Sequence, residues 1–315
     1  MIFDVVLFPL FMLFLCLLGL GFESGTRLLL RAPDYTFPAF ALPLFGLFTI
    51  GLVSLLVNFV AGVDRFYTFA PLLLFFAAGL VNLFPQAGRR LNTVILISIV
   101  MTPLAATMGP GYDGGLYHLP HQKWIRDEAI VLGLANMHGR FGFSSFLEYI
   151  AAPLWIDERF KLLSYVSVAF FVSFLVFLYN SMNSKQPVLR TLAALIAVNL
   201  VICNDYIAWH GWKYTSTDSG AGFVFAICFA LGLHLITERD HGSQSNNGTL
   251  LFVFLMLAVM GFVLKASNAL IAVWVLFVML QLLWLGWVTP SQIAVASIIP
   301  AMFMAIWIAR GVLTT

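Results

Sequence analysis

Charged side chains are what this sequence is short of. Lys and Arg together number 16 and Asp and Glu 14 in 315 residues, 10% in all, against 61% hydrophobic residues. A soluble domain carries about 25% charged and roughly 45–50% apolar residues, so this chain has too little polar surface to cover itself in water. That excludes a water-soluble globular protein, and a mean hydropathy of +0.97 points to an integral membrane protein. Basic clusters are missing too. The formal net charge is +2, with Lys and Arg scattered over short loops, which leaves nothing to grip nucleic acid. Cysteine is sparse: Cys16, Cys203 and Cys228 are odd in number, widely spaced and in or beside apolar runs. No disulfide framework or metal motif follows, and they read as small buried hydrophobes. The first segment lacks the basic n-region and cleavage site of a signal peptide, so residues 2–22 read as a retained membrane helix. There is no internal repeat, and the polar stretch 237–248 bears no evident chemistry.

What the chain does have is long apolar runs. A spanning helix needs about 20 mainly apolar residues. Runs at 2–22, 37–62, 66–84, 93–108, 161–180, 189–204, 219–236, 249–264, 269–288 and 291–309 predict an all-α, polytopic membrane helix bundle of about ten spans. Those at 93–108, 189–204 and 249–264 must extend into their flanks. The last two are separated only by Thr289-Pro290. Lys and Arg in short loops set orientation. Arg27, Arg31, Arg89, Arg90, Lys185, Arg190 and Arg239 fall on one side by alternation, against Arg65, Lys213, Lys265 and Arg310 on the other. The first set is therefore cytoplasmic. The N-terminus, the 109–160 loop and the 205–218 loop lie outside.

The 109–160 loop is long for a connection and too rich in Phe, Leu, Trp and Tyr for disorder. A short helix is predicted over Leu116–Glu128, with Tyr117, His121 and Trp124 on one face. Phe141–Ile156, broken by Ser144, Ser145, Glu148 and Pro153, reads as a helix lying along the membrane surface. Asp113, after Gly-Pro-Gly-Tyr112, is a candidate base: a partly desolvated carboxylate at a membrane mouth. Its alternative is a turn residue bonding its own backbone. His118 and His121 have the spacing of a metal pair, but Leu119-Pro120 spoils the geometry, no third ligand follows, and no metal is expected from them. His138-Gly139-Arg140 offers a cation for a phosphate or for lipid headgroups. Trp209 and Trp212 suit the headgroup level or the face of a sugar. Asp218 caps the seventh span or serves the site. Lys265 and Arg310 either snorkel or neutralise a lipid phosphate. Asp4 and Asp64 look like ordinary boundary residues.

Tyr112-Asp113-Gly-Gly-Leu-Tyr117-His118-Leu-Pro, Lys123-Trp124-Ile and Gly133-Leu-Ala-Asn136-Met-His138-Gly-Arg140-Phe-Gly-Phe-Ser resemble the D-x-x-x-Y-H and GLANLHGRFGFN-like motifs of an uncharacterised family of bacterial multi-pass membrane proteins. That family in turn is similar to the GT-C glycosyltransferases. Ser216-Thr-Asp218 and Leu264-Lys265-Ala-Ser267 match two further elements, so the resemblance spans 112–267. It implies a GT-C-like bundle whose long extracytoplasmic loop carries two membrane-surface helices. It also implies sugar transfer from a polyprenyl-phosphate donor to a cell-envelope acceptor at the bacterial inner membrane. Asp113 would be the base, and Arg140, Lys265 and Arg310 would stabilise the departing phosphate. Tyr112, Tyr117, His118, Trp124, His138, Trp209 and Trp212 would frame the substrate. Asp218 would be a second acid that binds a hydroxyl or holds a divalent cation. Three spans precede the first GT-C-like helix, dividing the chain into an N-terminal segment, 1–92, and a core, 93–315. Family members run longer, which implies C-terminal helices beyond Thr315. Three rivals stand: a transporter or flippase, a surface-polysaccharide polymerase or ligase, and an inactive remnant.

Overall fold

Glycine decides how the first three helices meet. α1 (Ile2–Leu30), α2 (Ala41–Asn58) and α3 (Phe66–Gln86) are apolar almost all round. A Cβ on Gly19 of α1 would lie 2.1 Å from the Leu42 carbonyl oxygen of α2, and one on Gly46 of α2 would lie 2.1 Å from that of Leu15. Gly21 and Gly79 repeat the arrangement between α1 and α3, each 1.9 Å from the facing backbone oxygen. Between helices in lipid the hydrophobic drive is absent, and small residues that let backbones touch supply the packing instead.

The structure is a computed structural model that describes residues 2–32, 34–63, 66–86, 88–137, 139–142, 145–155, 160–202, 213, 217–237 and 244–315. After α3 come α4 (Gly88–Thr107), α5 (His118–Asp127), α6 (Phe146–Ala151), α7 (Lys161–Met182), α8 (Pro187–Ile202), α9 (Thr217–Thr237), α10 (Gln244–Leu264), α11 (Leu270–Trp284) and α12 (Pro290–Thr314). Among the described residues the one β feature is a bridge between Gly109 and Lys213. Among the described residues eight helical stretches are long and apolar enough to cross a membrane, and the expected sixth and eighth runs form shorter apolar helices, Pro187–Leu200 and Gly248–Leu264. The fourth and eighth runs do extend into their flanks. The break between α11 and α12 has a plain cause. Gly286 takes φ +64°, and the Gly286 and Trp287 N–H groups return to the Leu283 and Leu282 carbonyls, a Schellman stop. Thr289 and Gln292 then cap α12 reciprocally.

α1 packs against α2, α3 and α4, while α7 joins α4 to α2 and α9. Polar groups gather at the two ends of this bundle. At one end buried Glu23 accepts from Arg27, Arg90 and the Phe37 N–H. At the other, Asp4 is no ordinary boundary residue: it is buried, with the Lys161 ammonium at 2.5 Å and the Tyr165 hydroxyl donating at 2.6 Å.

The Phe141–Ile156 stretch departs from expectation. Its α-helix is only Phe146–Ala151, followed by a 3-10 turn over Ala152–Leu154, and both are buried. Phe146 stacks edge-on against Phe303 and Trp307 of α12 and fills the space beside Gly51 of α2. Ser145 and Glu148, two of the residues that argued for a surface helix, bond inside the protein instead, so the described part of the segment is a plug in the bundle's end; Ser144 lies outside the described residues.

Candidate functional site

The site is built where α5 and α6 meet the ends of α2, α10 and α12. Asn58, the last residue of α2, fixes α5 by donating to the Ile125 and Glu128 carbonyls at 3.1 and 2.8 Å. Arg126 secures the other flank by bonding the Trp155 carbonyl at 2.9 Å and lying over its ring. α5 starts at His118, not earlier, with Pro120 in its first turn, where a missing N–H does no harm. Tyr117 precedes the helix at φ −145°. The expected face of Tyr117, His121 and Trp124 is therefore split: His121 and Trp124 line one small crevice, while Tyr117 lines a larger cavity.

Glu148 is the residue that organises the interior, and it is 3% exposed. With Ser145 it forms the capping box that starts α6. Its Oε1 lies 2.8 Å from His118 Nδ1, and its Oε2 lies 2.6 Å from His121 Nδ1. Desolvation on burial would raise its pKa. The hydrogen bonds of His118 and His121, joined by their attraction once acid charges the rings, outweigh that and hold it down at about 2. A carboxylate only accepts, so both imidazoles present Nδ1–H to it. His121 Nε2 faces the Arg310 Nη2 at 3.2 Å. A guanidinium only donates, so His121 is the neutral ring, protonated on Nδ1. Arg310 Nε also donates to the Tyr149 hydroxyl at 2.9 Å, and that hydroxyl donates on to Asn58 Oδ1 at 3.2 Å. Burial pushes the Tyr149 phenol up, against the pull of Arg310, so it stays protonated. The chain His118, Glu148, His121, Arg310, Tyr149, Asn58 is thus one continuous polar network under the bundle's end.

Above it lies a cavity of about 450 Å³ whose lining includes Asp113, Tyr117, His118, Glu148, Asp218, Lys265, Trp307 and Arg310. Ser145 ties its floor to its wall by donating to the Leu264 carbonyl at 2.6 Å. Asp113 sits in a 3-10 turn, Tyr112–Gly114, and accepts from the Tyr117 hydroxyl at 2.7 Å. The partial desolvation expected there is absent, because Asp113 is exposed. Asp218 lies in the first turn of α9. Its carboxylate pairs with the Lys265 ammonium. Arg310 is 2% exposed, is stacked between Tyr149 and Trp307 at 5.7 Å from each ring centre, and has no carboxylate against it among the described residues. Among those residues no three His, Cys, Asp or Glu side chains are arranged to hold a metal ion. Trp209, Trp212 and His138 lie outside the described residues, and Tyr112 and Arg140 are described in backbone alone.

A family model described as "Domain of unknown function (DUF8201)" matches residues 1–315. The chain belongs to the DUF8201 family. No curated protein and no solved structure matches it. The chemistry of this DUF8201 chain therefore has to come from its own side chains, and four of those that matter were not singled out from sequence. Tyr149 and Asn58 carry no local signal. Ser145 and Glu148 do: Ser145-Phe-Leu-Glu148 is a capping-box pattern, and a Glu in an apolar stretch needs partners.

Proposed function

We propose that the chain is a membrane glycosyltransferase of GT-C type, moving a sugar from a polyprenyl-phosphate donor to a cell-envelope acceptor on the outer face of a bacterial inner membrane. What supports the reading is one observation: Asp113, Asp218, Lys265 and Arg310, from four separate segments of the chain, line a single cavity at one end of an apolar bundle. Such a cavity takes a ligand that is anionic, hydroxylated and tethered to the membrane. In the proposed reaction the acceptor O–H gives its proton to Asp113, and its oxygen bonds the sugar's anomeric carbon. The bond from that carbon to the donor phosphate breaks, leaving its electron pair on the phosphate oxygen. Charge grows on that phosphate as the bond breaks, so a fixed cation there lowers the barrier. Arg310 is best placed to be that cation. Lys265 already has Asp218, which suits it to holding a sugar hydroxyl between the two.

The test is transfer from prenyl-phosphate sugars in proteoliposomes. Loss of a general base lowers rate by about 10²–10⁴-fold. Asp113→Asn should therefore lose at least about 100-fold in turnover with insertion and thermal midpoint unchanged. Full activity in that variant removes Asp113 from the role, and no transfer by the unmodified protein from any such donor removes the reaction itself.

A further inference from the structure

The cavity wall contains a feature that the transferase reading does not use. Glu148 bonds two histidines at once, and the two rings end in different places. His121 Nε2 meets the buried guanidinium of Arg310 at 3.2 Å. His118 lines the cavity, its Nδ1 is taken by Glu148, and its Nε2 has no hydrogen-bond partner among the described residues. We propose that Glu148 is the positioning residue of this site, setting His118 as a hydrogen-bond acceptor toward the cavity and, through His121, setting Arg310 as its anion-binding group.

The chemistry follows from what each group can do. Nδ1–H to a carboxylate leaves the neutral His118 ring with a lone pair on Nε2, pointed where only a donor such as a ligand hydroxyl satisfies it. The same carboxylate fixes Nδ1–H on His121, so that its Nε2 accepts from Arg310 and orients the guanidinium plane across Tyr149 and Trp307. Arg310 is then steadied by two hydrogen bonds and two rings, and among the described residues no adjacent carboxylate neutralises it. One carboxylate therefore sets an acceptor and a cation in the same cavity, the pair needed to bind a phosphate ester beside a hydroxyl. The assignment rests on the glycosyl-transfer reading only for the reaction it would serve. The geometry stands without it.

Two measurements test it. In ¹⁵N-histidine-labelled protein in nanodiscs, ring nitrogen shifts report which nitrogen carries the proton. The unmodified protein should show His118 and His121 both protonated on Nδ1 and bare on Nε2, assigned by single His118→Gln and His121→Gln variants. The opposite tautomer at either ring overturns the proposal, and this measurement needs no variant at Glu148. The second uses Glu148→Gln. An amide accepts from one ring and donates to the other, so one tautomer must turn over. Inorganic phosphate, titrated as a probe of the Arg310 end, should bind about 10-fold more weakly, as when an outer support is lost from a ligand-binding group. A folded Glu148→Gln protein with both tautomers and phosphate affinity unchanged refutes the positioning role. Expected tautomers and weakened phosphate binding in a protein that transfers no sugar would keep the positioning role and discard the transferase.

Discussion

Two oxygens of Glu148 take hydrogen bonds from His118, His121 and the Ser145 N–H, and this concentration makes acid the natural probe of the site. The folded value of about 2 lies below the ordinary 4.5. The carboxylate therefore adds stability that is fully present above about pH 4.5 and is lost as pH falls from there to about 2. The thermal midpoint in detergent should drop across that window, and Glu148→Gln should make the slope shallower. Parallel curves for the two proteins would show that the carboxylate has no such linkage. Arg310 predicts differently. Arg310→Lys keeps the charge but loses the planar fork that bonds Tyr149 and His121 and stacks on two rings. It should lower phosphate affinity about as much as Arg310→Gln does, an outcome that affinity for a bare point charge would contradict. Asp113, Lys265 and Arg310 were legible as polar residues in apolar surroundings. Their pairings were not, because the Asp218 that takes up Lys265 is 47 residues away in sequence, and no local pattern encodes such a contact.

At the scale of elements, the apolar runs marked the helices well because a 20-residue run leaves few alternatives in lipid. The Gly286 stop explains why two runs with almost no linker still separate. The segment around α6 was misjudged because composition cannot say whether a polar residue in an apolar run meets water or a buried partner. Helix contact through glycine carries its own prediction. Gly46→Leu would drive a side chain into the Leu15 backbone 2.1 Å from its Cβ. Overpacking ordinarily costs about 1–3 kcal/mol and occasionally more, and the upper end is expected here because backbone cannot swing aside. A thermal midpoint in nanodiscs within a degree or so of the unmodified protein would mean that α1 and α2 are free to separate.

For the whole molecule, exposed Leu73, Leu96, Val100, Leu270 and Val273 belong to an apolar surface suited to lipid. The charge bias in the loops predicts an orientation, and the proposed outer position of the cavity rests on it. Leu116, 62% exposed at the cavity's end of the bundle, and Ser184, beyond the far end of α7, can report it. In intact cells Leu116→Cys should react with a membrane-impermeant maleimide and Ser184→Cys only after lysis. The native Cys16 and Cys228 are buried and should contribute little. The reverse pattern would turn the cavity to the cytoplasm and, with it, exclude a cell-envelope acceptor.

The hydrogen bond between Arg310 and Tyr149 joins residues 161 positions apart, and this has a consequence for how the protein is made. At roughly 5–20 residues per second of synthesis, the carboxylate and its two imidazoles leave the ribosome on the order of 10–30 s before the guanidinium. Until then the cavity lacks the wall that Trp307 and Arg310 provide. α12 thus acts as a late closure. A cysteine placed at Ser267 should react faster with a soluble maleimide in a released chain truncated ahead of Pro290 than in the finished protein, and equal rates would mean that the pocket is shaped before its last helix arrives.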